Sequence, residues 1–177
     1  LDNIQLVECD LVNQGDCMDL IAKYQPDEVY NLAAQSSVSS SFQFPRVTIE
    51  FNIISVLNLL EAIRMKSCHS RFYQASSSEM YGIVNQLPIT IQSVLHPVSP
   101  YGISKAAGHW LVSQYRESYN LFAVSGILFN HESFLRQDSF FVKKVITSAI
   151  RIRNGQQHDL HEVDVGINLP AQGLVLD

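Results

Sequence analysis

Short apolar runs alternate along the chain with longer stretches whose apolar residues recur every three or four positions. Residues 4–7, Ile-Gln-Leu-Val, read as a buried strand that ends at the acidic Asp10. Asn13-Gln14-Gly15-Asp16 is turn chemistry, with Asp16 placed to cap a helix carrying Met18, Leu20, Ile21 and Tyr24, which Pro26-Asp27 ends. Residues 28–34 form the next strand, closing on Ala33-Ala34, and the serine-rich 36–41 reads as a loop. Pro45 opens a long helix with Ile49, Ile53, Val56, Leu57, Leu60 and Ile63 at a 3.6-residue period. Residues 71–75 are a third strand, running into Ser76-Ser77-Ser78-Glu79, and 87–100 is a loop. The helix that begins at Tyr101 shows Ile103, Ala106, Ala107, Trp110, Leu111 and Tyr115 at core spacing. A fourth strand spans 121–128. The last helix runs from Asp138 as its cap to Asn154, with Gly155 as stop signal and Lys143, Lys144, Arg151 and Arg153 on its solvated side. Beyond about residue 160 the period fades, and 161–177 reads as a tail.

Strands alternating with helices predict an α/β fold, a parallel sheet with helices on both faces. The domain reading is 1–160 for this sheet and 161–177 for the tail. Ligands of such sheets bind beyond the carboxyl ends of the strands. Each polar cluster falls there: Asp10-Leu11 after the first strand, Gln35-Ser36 after the second, Ser77-Ser78-Glu79 after the third and Asn130-His131 after the fourth. Because the chain opens almost directly on a strand, it reads as a piece of something longer.

Composition narrows the class. Hydrophobic residues make up 46% and charged residues 16% of the 177, which suits a folded domain with a sizeable core. A formal net charge of −5 gives no basic footprint for nucleic acid or an anionic membrane. No run is long enough to cross a bilayer. Cys9, Cys17 and Cys68 form no metal-ligand spacing, and their odd number predicts a reduced, cytoplasmic setting.

Chemistry centres on Ser99-Pro100-Tyr101-Gly102-Ile103-Ser104-Lys105. Four residues apart on a helix, Tyr101 and Lys105 share a face. An ammonium beside a phenol favours the phenolate, so the pair can move a proton to and from a hydroxyl near neutral pH. Taken alone, this spacing more often marks a solvated lysine beside a half-buried tyrosine. Asp10, the serines of 36–41 and of 76–78, and His131 have equally bland readings as turn, loop and cap residues. Glu79 fits such a reading least, because a carboxylate where an apolar strand ends is either paired or a candidate general base.

Five segments in order carry a resemblance. They are Tyr30-Asn31-Leu32-Ala33-Ala34-Gln35-Ser36-Ser37-Val38, residues 71–82 around Ser76-Ser77-Ser78-Glu79, residues 99–105, residues 115–119, and Gly126-Ile127-Leu128-Phe129-Asn130-His131-Glu132-Ser133. Together they resemble the extended short-chain dehydrogenase/reductases, and within these the GDP-mannose 4,6-dehydratases, over about residues 6–156. The resemblance implies a Rossmann-like sheet lacking the first βαβ unit and most of the substrate domain. It also implies a nucleotide-sugar dehydratase using NADP, with NAD left open. By that likeness Tyr101 takes the proton of the sugar 4-hydroxyl, Lys105 lowers the tyrosine's pKa and holds the nicotinamide ribose, and Glu79 removes the C5 proton. Ser77, where the family usually has threonine, hydrogen-bonds the reacting oxygen. Cofactor contacts fall on Asp10 and Leu11 on the adenine side, on Leu32, Ala33, Ala34, Gln35 and Ser36 on the pyrophosphate and nicotinamide side, and on His131 and Arg136. Ser78 and Asn130 fall on the substrate side. The implied partners are a nucleotide sugar, GDP-mannose first, and a second copy of the chain, with no nucleic acid, membrane or metal.

Departures set alternatives beside this. No G-x-x-G-x-x-G turn occurs, so the phosphate-binding helix N-terminus of the family is not encoded here. Val47 replaces a usual tyrosine, Phe134-Leu135 replaces a usual Pro-Arg, and the sequence after Gln156 leaves the family pattern. Weak NADP binding and little turnover by this chain alone are expected. A related nucleotide-sugar reductase or epimerase, and a non-catalytic remnant of the fold, stay open. An unpaired sheet edge would favour self-association.

Overall fold

The computed structural model describes residues 4–136, 138, 140–156 and 158. Two compact units follow one another along the chain, the first running to Phe129 and the second beginning at Asn130. In the first, α1 (Gln14–Tyr24), β1 (Glu28–Asn31), α2 (Val38–Gln43), α3 (Pro45–Lys66), β2 (Arg71–Ser77), a 3-10 turn (Ser78–Met80), α4 (Pro100–Tyr119) and β3 (Ala123–Leu128) succeed one another. The second contains α5 (Phe141–Arg153).

The sheet is parallel, in the order β1-β2-β3, with Asn31 beside Gln74 and Ser77 beside Leu128. Its core gathers Cys17 and Ile21 of α1, Leu60 and Ile63 of α3, Val112 of α4, and Phe72 and Ala123 of the sheet. Each large side chain buried this way contributes roughly 1.5–3 kcal/mol. A polar staple adds to the packing of α3 on α4. Arg64 donates to both Glu61 oxygens at 2.8 Å, and the Tyr115 hydroxyl donates to Glu61 Oε1 at 2.6 Å.

Several local expectations change. Residues 4–10 are no strand, and Leu6 is 93% exposed. A strand needs a neighbour for its backbone groups, and β1 pairs only with β2 among the described residues, so three strands replace the expected four. Asn13, not Asp16, caps α1: its side chain accepts from the Gly15 and Asp16 N–H groups, whereas Asp16 lies in the first turn and accepts from the Asp10 N–H. β1 stops at Asn31 rather than Ala34, because the Asn31 side chain takes the Ala33 N–H that would have joined the ladder. The serine run is not all loop. Ser37 accepts from the Ser40 N–H and starts α2.

On the helices, the apolar period marks less of the core than expected. Ile49, Ile53 and Leu57 are half-buried, and Ile103 and Trp110 are exposed. The inner face of α4 is instead Tyr101, Ser104, Lys105, Gly108, Val112 and Tyr115, and that of α3 includes Thr48, Asn52, Ser55 and Asn58. Asp138 does not cap α5, whose N-cap is Phe140 with no side-chain bond, and Lys143 and Lys144 are half-buried rather than solvated. Lys143 donates to the Phe134 carbonyl at 2.9 Å. The expected tail, 161–177, lies outside the described residues. No helix among the described residues is long and apolar enough to cross a membrane.

Candidate active site

The site is built where β1 and β2 end and α4 begins. Ser99 caps α4 by accepting from the Gly102 N–H at 2.9 Å, and Pro100 follows at the first helical position, where its missing N–H is harmless. This fixes Tyr101 and Lys105 on the buried face, 9% and 7% exposed. The Lys105 ammonium lies 5.7 Å from the centre of the Tyr101 ring and donates to the Ala75 carbonyl at 2.8 Å. Burial pushes its pKa down to about 8, which leaves it mainly charged at neutral pH.

β2 delivers the next group. Ser77 is buried at its carboxyl end, and its hydroxyl accepts from the Glu79 N–H at 3.2 Å, turning the chain into the short 3-10 segment. Ser78 and Glu79 are half-buried there. The turn lies against the first turn of α4: a Cβ on Gly102 would stand 2.7 Å from the Glu79 carbonyl oxygen. Glycine is required for that approach. The segments carrying Ser77, Glu79, Tyr101 and Lys105 therefore meet, as the sequence led us to expect.

Two loops join them through α3. Asn52 accepts from the Gln35 N–H at 2.8 Å and donates to the Gln35 carbonyl at 3.1 Å and to the Ser104 hydroxyl at 2.9 Å. Ser104 in turn donates to the Tyr101 carbonyl at 2.7 Å. Asn58 donates to the Leu11 and Val12 carbonyls, holding the turn that begins at Asp10. The same helix, α3, thus holds the turn at Asp10-Leu11 through Asn58 and the segment that follows β1 through Asn52. Within the sheet, Asn31 Nδ2 donates to Gln74 Oε1 at 2.8 Å, and Gln74 Nε2 donates to the Ala75 carbonyl that Lys105 also uses. Gln35 Oε1 is buried with no hydrogen-bond partner among the described residues.

A protein-family model described as GDP-mannose 4,6 dehydratase matches residues 1–166. The chain belongs to that family. The GDP-mannose 4,6-dehydratase of Vibrio cholerae is 43% identical over 155 residues, which is 86% of this chain and 42% of that protein. The chain thus spans less than half the length of this curated relative. Among solved structures, RMD from Pseudomonas aeruginosa complexed with NADPH superposes with a TM-score of 0.78 at 31% identity, over 85% of this chain and 51% of that one. UDP-glucose 4-epimerase from Brucella ovis in complex with NAD gives a TM-score of 0.65 at 29% identity, over 70% of this chain and 38% of that one.

Asn130, His131 and Arg136, the other residues that the family likeness singled out, lie in the second unit and are described there by themselves. Asn130 and His131 are exposed. Arg136 stacks 3.6 Å from the centre of the Phe140 ring, with Glu132 3.7 Å from its Nε. Sequence reasoning missed Asn52, Asn58 and Ser104. The signal was there, since two amides interrupt the apolar run Phe51-Asn52-Ile53-Ile54-Ser55-Val56-Leu57-Asn58-Leu59-Leu60. An amide on a buried helix face must find partners outside the helix, and strand-end loops supply them.

Proposed function

We propose that the chain carries the acid–base centre of a nucleotide-sugar 4,6-dehydratase that converts GDP-mannose to its 4-keto-6-deoxy product with NADP. The observation that carries this reading is the contact between the Glu79 turn and the Tyr101–Lys105 helix, since dehydration needs a base for C5 as well as a phenol for the 4-hydroxyl. Family membership and the NADPH and NAD complexes of the two structural relatives support a nicotinamide cofactor.

The residues fit such a group. The Leu11 N–H has no partner among the described residues and follows the exposed Asp10 carboxylate, a donor beside an acceptor, which matches the edge of an adenine ring. Leu32, Ala33, Ala34, Gln35 and Ser36 would line the pyrophosphate and nicotinamide side, with Lys105 on the ribose. When bound, the nicotinamide supplies the hydride acceptor for C4 and the hydride donor for C6. The protein's own residues do the rest. Tyr101 takes the 4-hydroxyl proton with the Lys105 charge favouring its phenolate, and Ser77 hydrogen-bonds the reacting oxygen. Glu79 removes the C5 proton, made acidic by the neighbouring 4-keto group, and the C6 hydroxyl leaves as water. Ser78 is assigned to the sugar side. A simple reductase has no use for a C5 base, which sets Glu79 against that alternative. The unpaired Cys9, Cys17 and Cys68 support a cytoplasmic setting. The exposed Ile103 and Trp110 on α4 support association with a second copy.

The test is a chimera in which residues 6–156 replace the matching segment of the Vibrio cholerae relative. In D2O it should form the 4-keto-6-deoxy sugar with deuterium at C5. Glu79→Gln should lower the rate by about 10²–10⁴-fold. A chimera as fast with glutamine at that position would overturn the reading.

A further inference from the structure

We propose that Asn58 is a positioning residue for the nucleotide: from the middle of α3 it sets the orientation of the Asp10 carboxylate and the Leu11 N–H. The inference rests on the adenine-side reading of Asp10 and Leu11 given above. Asn58 is 6% exposed, and both hydrogens of its amide are used, on Leu11 O at 3.0 Å and Val12 O at 2.9 Å. The Cys17 thiol reaches the same Leu11 carbonyl at 3.6 Å.

The consequence follows from peptide geometry. In a trans peptide the C=O and N–H point in opposite directions. Turning the Leu11 carbonyl toward α3 therefore turns the Val12 N–H outward, where it meets Asp10 Oδ1 at 3.0 Å. Turning the Val12 carbonyl the same way sends the Asn13 N–H to the Asp10 carbonyl at 2.9 Å and closes the turn. One buried amide thus fixes two successive peptide planes, and through them the carboxylate that flanks the open Leu11 N–H. Asn58 touches no nucleotide itself.

Amide NMR on the full chain tests this, with adenosine monophosphate as the probe. In the wild type the Leu11 and Val12 amide resonances should move on titration. Asn58→Asp keeps the size but sets carboxylate oxygens against two carbonyls, and should weaken binding at least tenfold while the resonances of Tyr101 and Lys105 stay in place. Asn58→Gln, which keeps both donors, should restore part of the affinity. Should the aspartate variant not fold, the wild type still decides the matter. The Asn58 side-chain amide resonances should move together with that of Leu11. No movement of Leu11 in the wild type overturns the adenine reading and the proposal with it. Movement of Leu11 with Asn58 unmoved, or an aspartate variant binding within twofold of wild type, overturns the proposal alone.

Discussion

Asn52 donates to the Ser104 hydroxyl at 2.9 Å, joining the middle of α3 to the second turn of α4. Both side chains are buried, 4% and 0% exposed, and each is also committed elsewhere, Asn52 to the Gln35 backbone and Ser104 to the Tyr101 carbonyl. The loop after β1 and the residue that carries the phenol are therefore held by one relay of hydrogen bonds. In a low-dielectric interior such a relay is stable only while all of its members are satisfied.

That relay should appear as coupling in a double-mutant cycle. Asn52→Ala strands the Gln35 backbone and the Ser104 hydroxyl, and should cost about 2–3 kcal/mol in urea unfolding. Ser104→Ala removes one bond at each end and should cost about 1 kcal/mol. The double variant should fall short of the sum by about 1 kcal/mol. Strict additivity would show that the two side chains do not act together.

Two glycines of α4 should respond in opposite directions to alanine. At Gly102 a methyl group would meet the Glu79 carbonyl at 2.7 Å and Pro97 Cβ at 3.1 Å, and a backbone oxygen cannot swing aside. Overpacking of about 1–3 kcal/mol should outweigh the gain of roughly 1 kcal/mol in helix propensity. At Gly108 the nearest atom is Val56 Cγ2 at 3.5 Å, ordinary contact, so Gly108→Ala should stabilise by about 0.5–1 kcal/mol. Urea midpoints moving down for the first and up for the second would bear this out. A stabilising Gly102→Ala would mean that the Glu79 turn does not press on α4.

The contrast between these glycines also shows what could be read from the sequence. The parallel sheet and its alternation with helices were legible, because short apolar runs between longer periodic stretches constrain them strongly, and the family likeness put Glu79 and Tyr101 on one substrate. Residues 4–7 misled, since β-propensity speaks for a strand only if another strand is present to pair with it. Ile103 and Trp110 misled for a related reason. Periodicity identifies an apolar face without saying what covers it, and the face of α4 that turns inward is the small and polar one that carries Tyr101, Ser104 and Lys105. Asn52 and Asn58 were passed over because a polar residue in an apolar helix lowers the very score used to find the core.

The staple between α3 and α4 should make the fold sensitive to acid. Hydrogen bonds from Arg64, and then from Tyr115, hold the Glu61 carboxyl down to about 2, below its ordinary 4.5. Between those values the unfolded chain binds more protons than the folded one, so the stabilisation is complete above pH 4.5 and is lost as pH falls toward 2. Both partners are partly solvated, so the amount is about 1 kcal/mol. Urea midpoints at pH 5 and pH 3 should therefore differ more for wild type than for Glu61→Gln. Equal drops in the two proteins would remove Glu61 as the cause.

Lys105 should act at the other end of the pH scale and with the opposite meaning for stability. Burial lowers its pKa from 10.5 to about 8, so between those values the unfolded chain holds a proton that the folded one has released. Stability then rises with pH across that window, by at most roughly 3 kcal/mol, because the cost of burying an ammonium disappears when the group is neutral. Lys105→Met removes the charge, and the Ala75 carbonyl keeps its bond from Gln74 at 3.2 Å. The variant should accordingly be at least as stable as wild type at pH 7 and should lack the rise between pH 8 and 10. A wild-type minus variant difference that stays flat over that interval would show that the ammonium is not desolvated by the fold. If the rise is seen, the chain carries a buried cation next to a phenol at a cost in stability that its hydrogen bond to the Ala75 carbonyl does not offset, as the proposed proton transfer at Tyr101 requires.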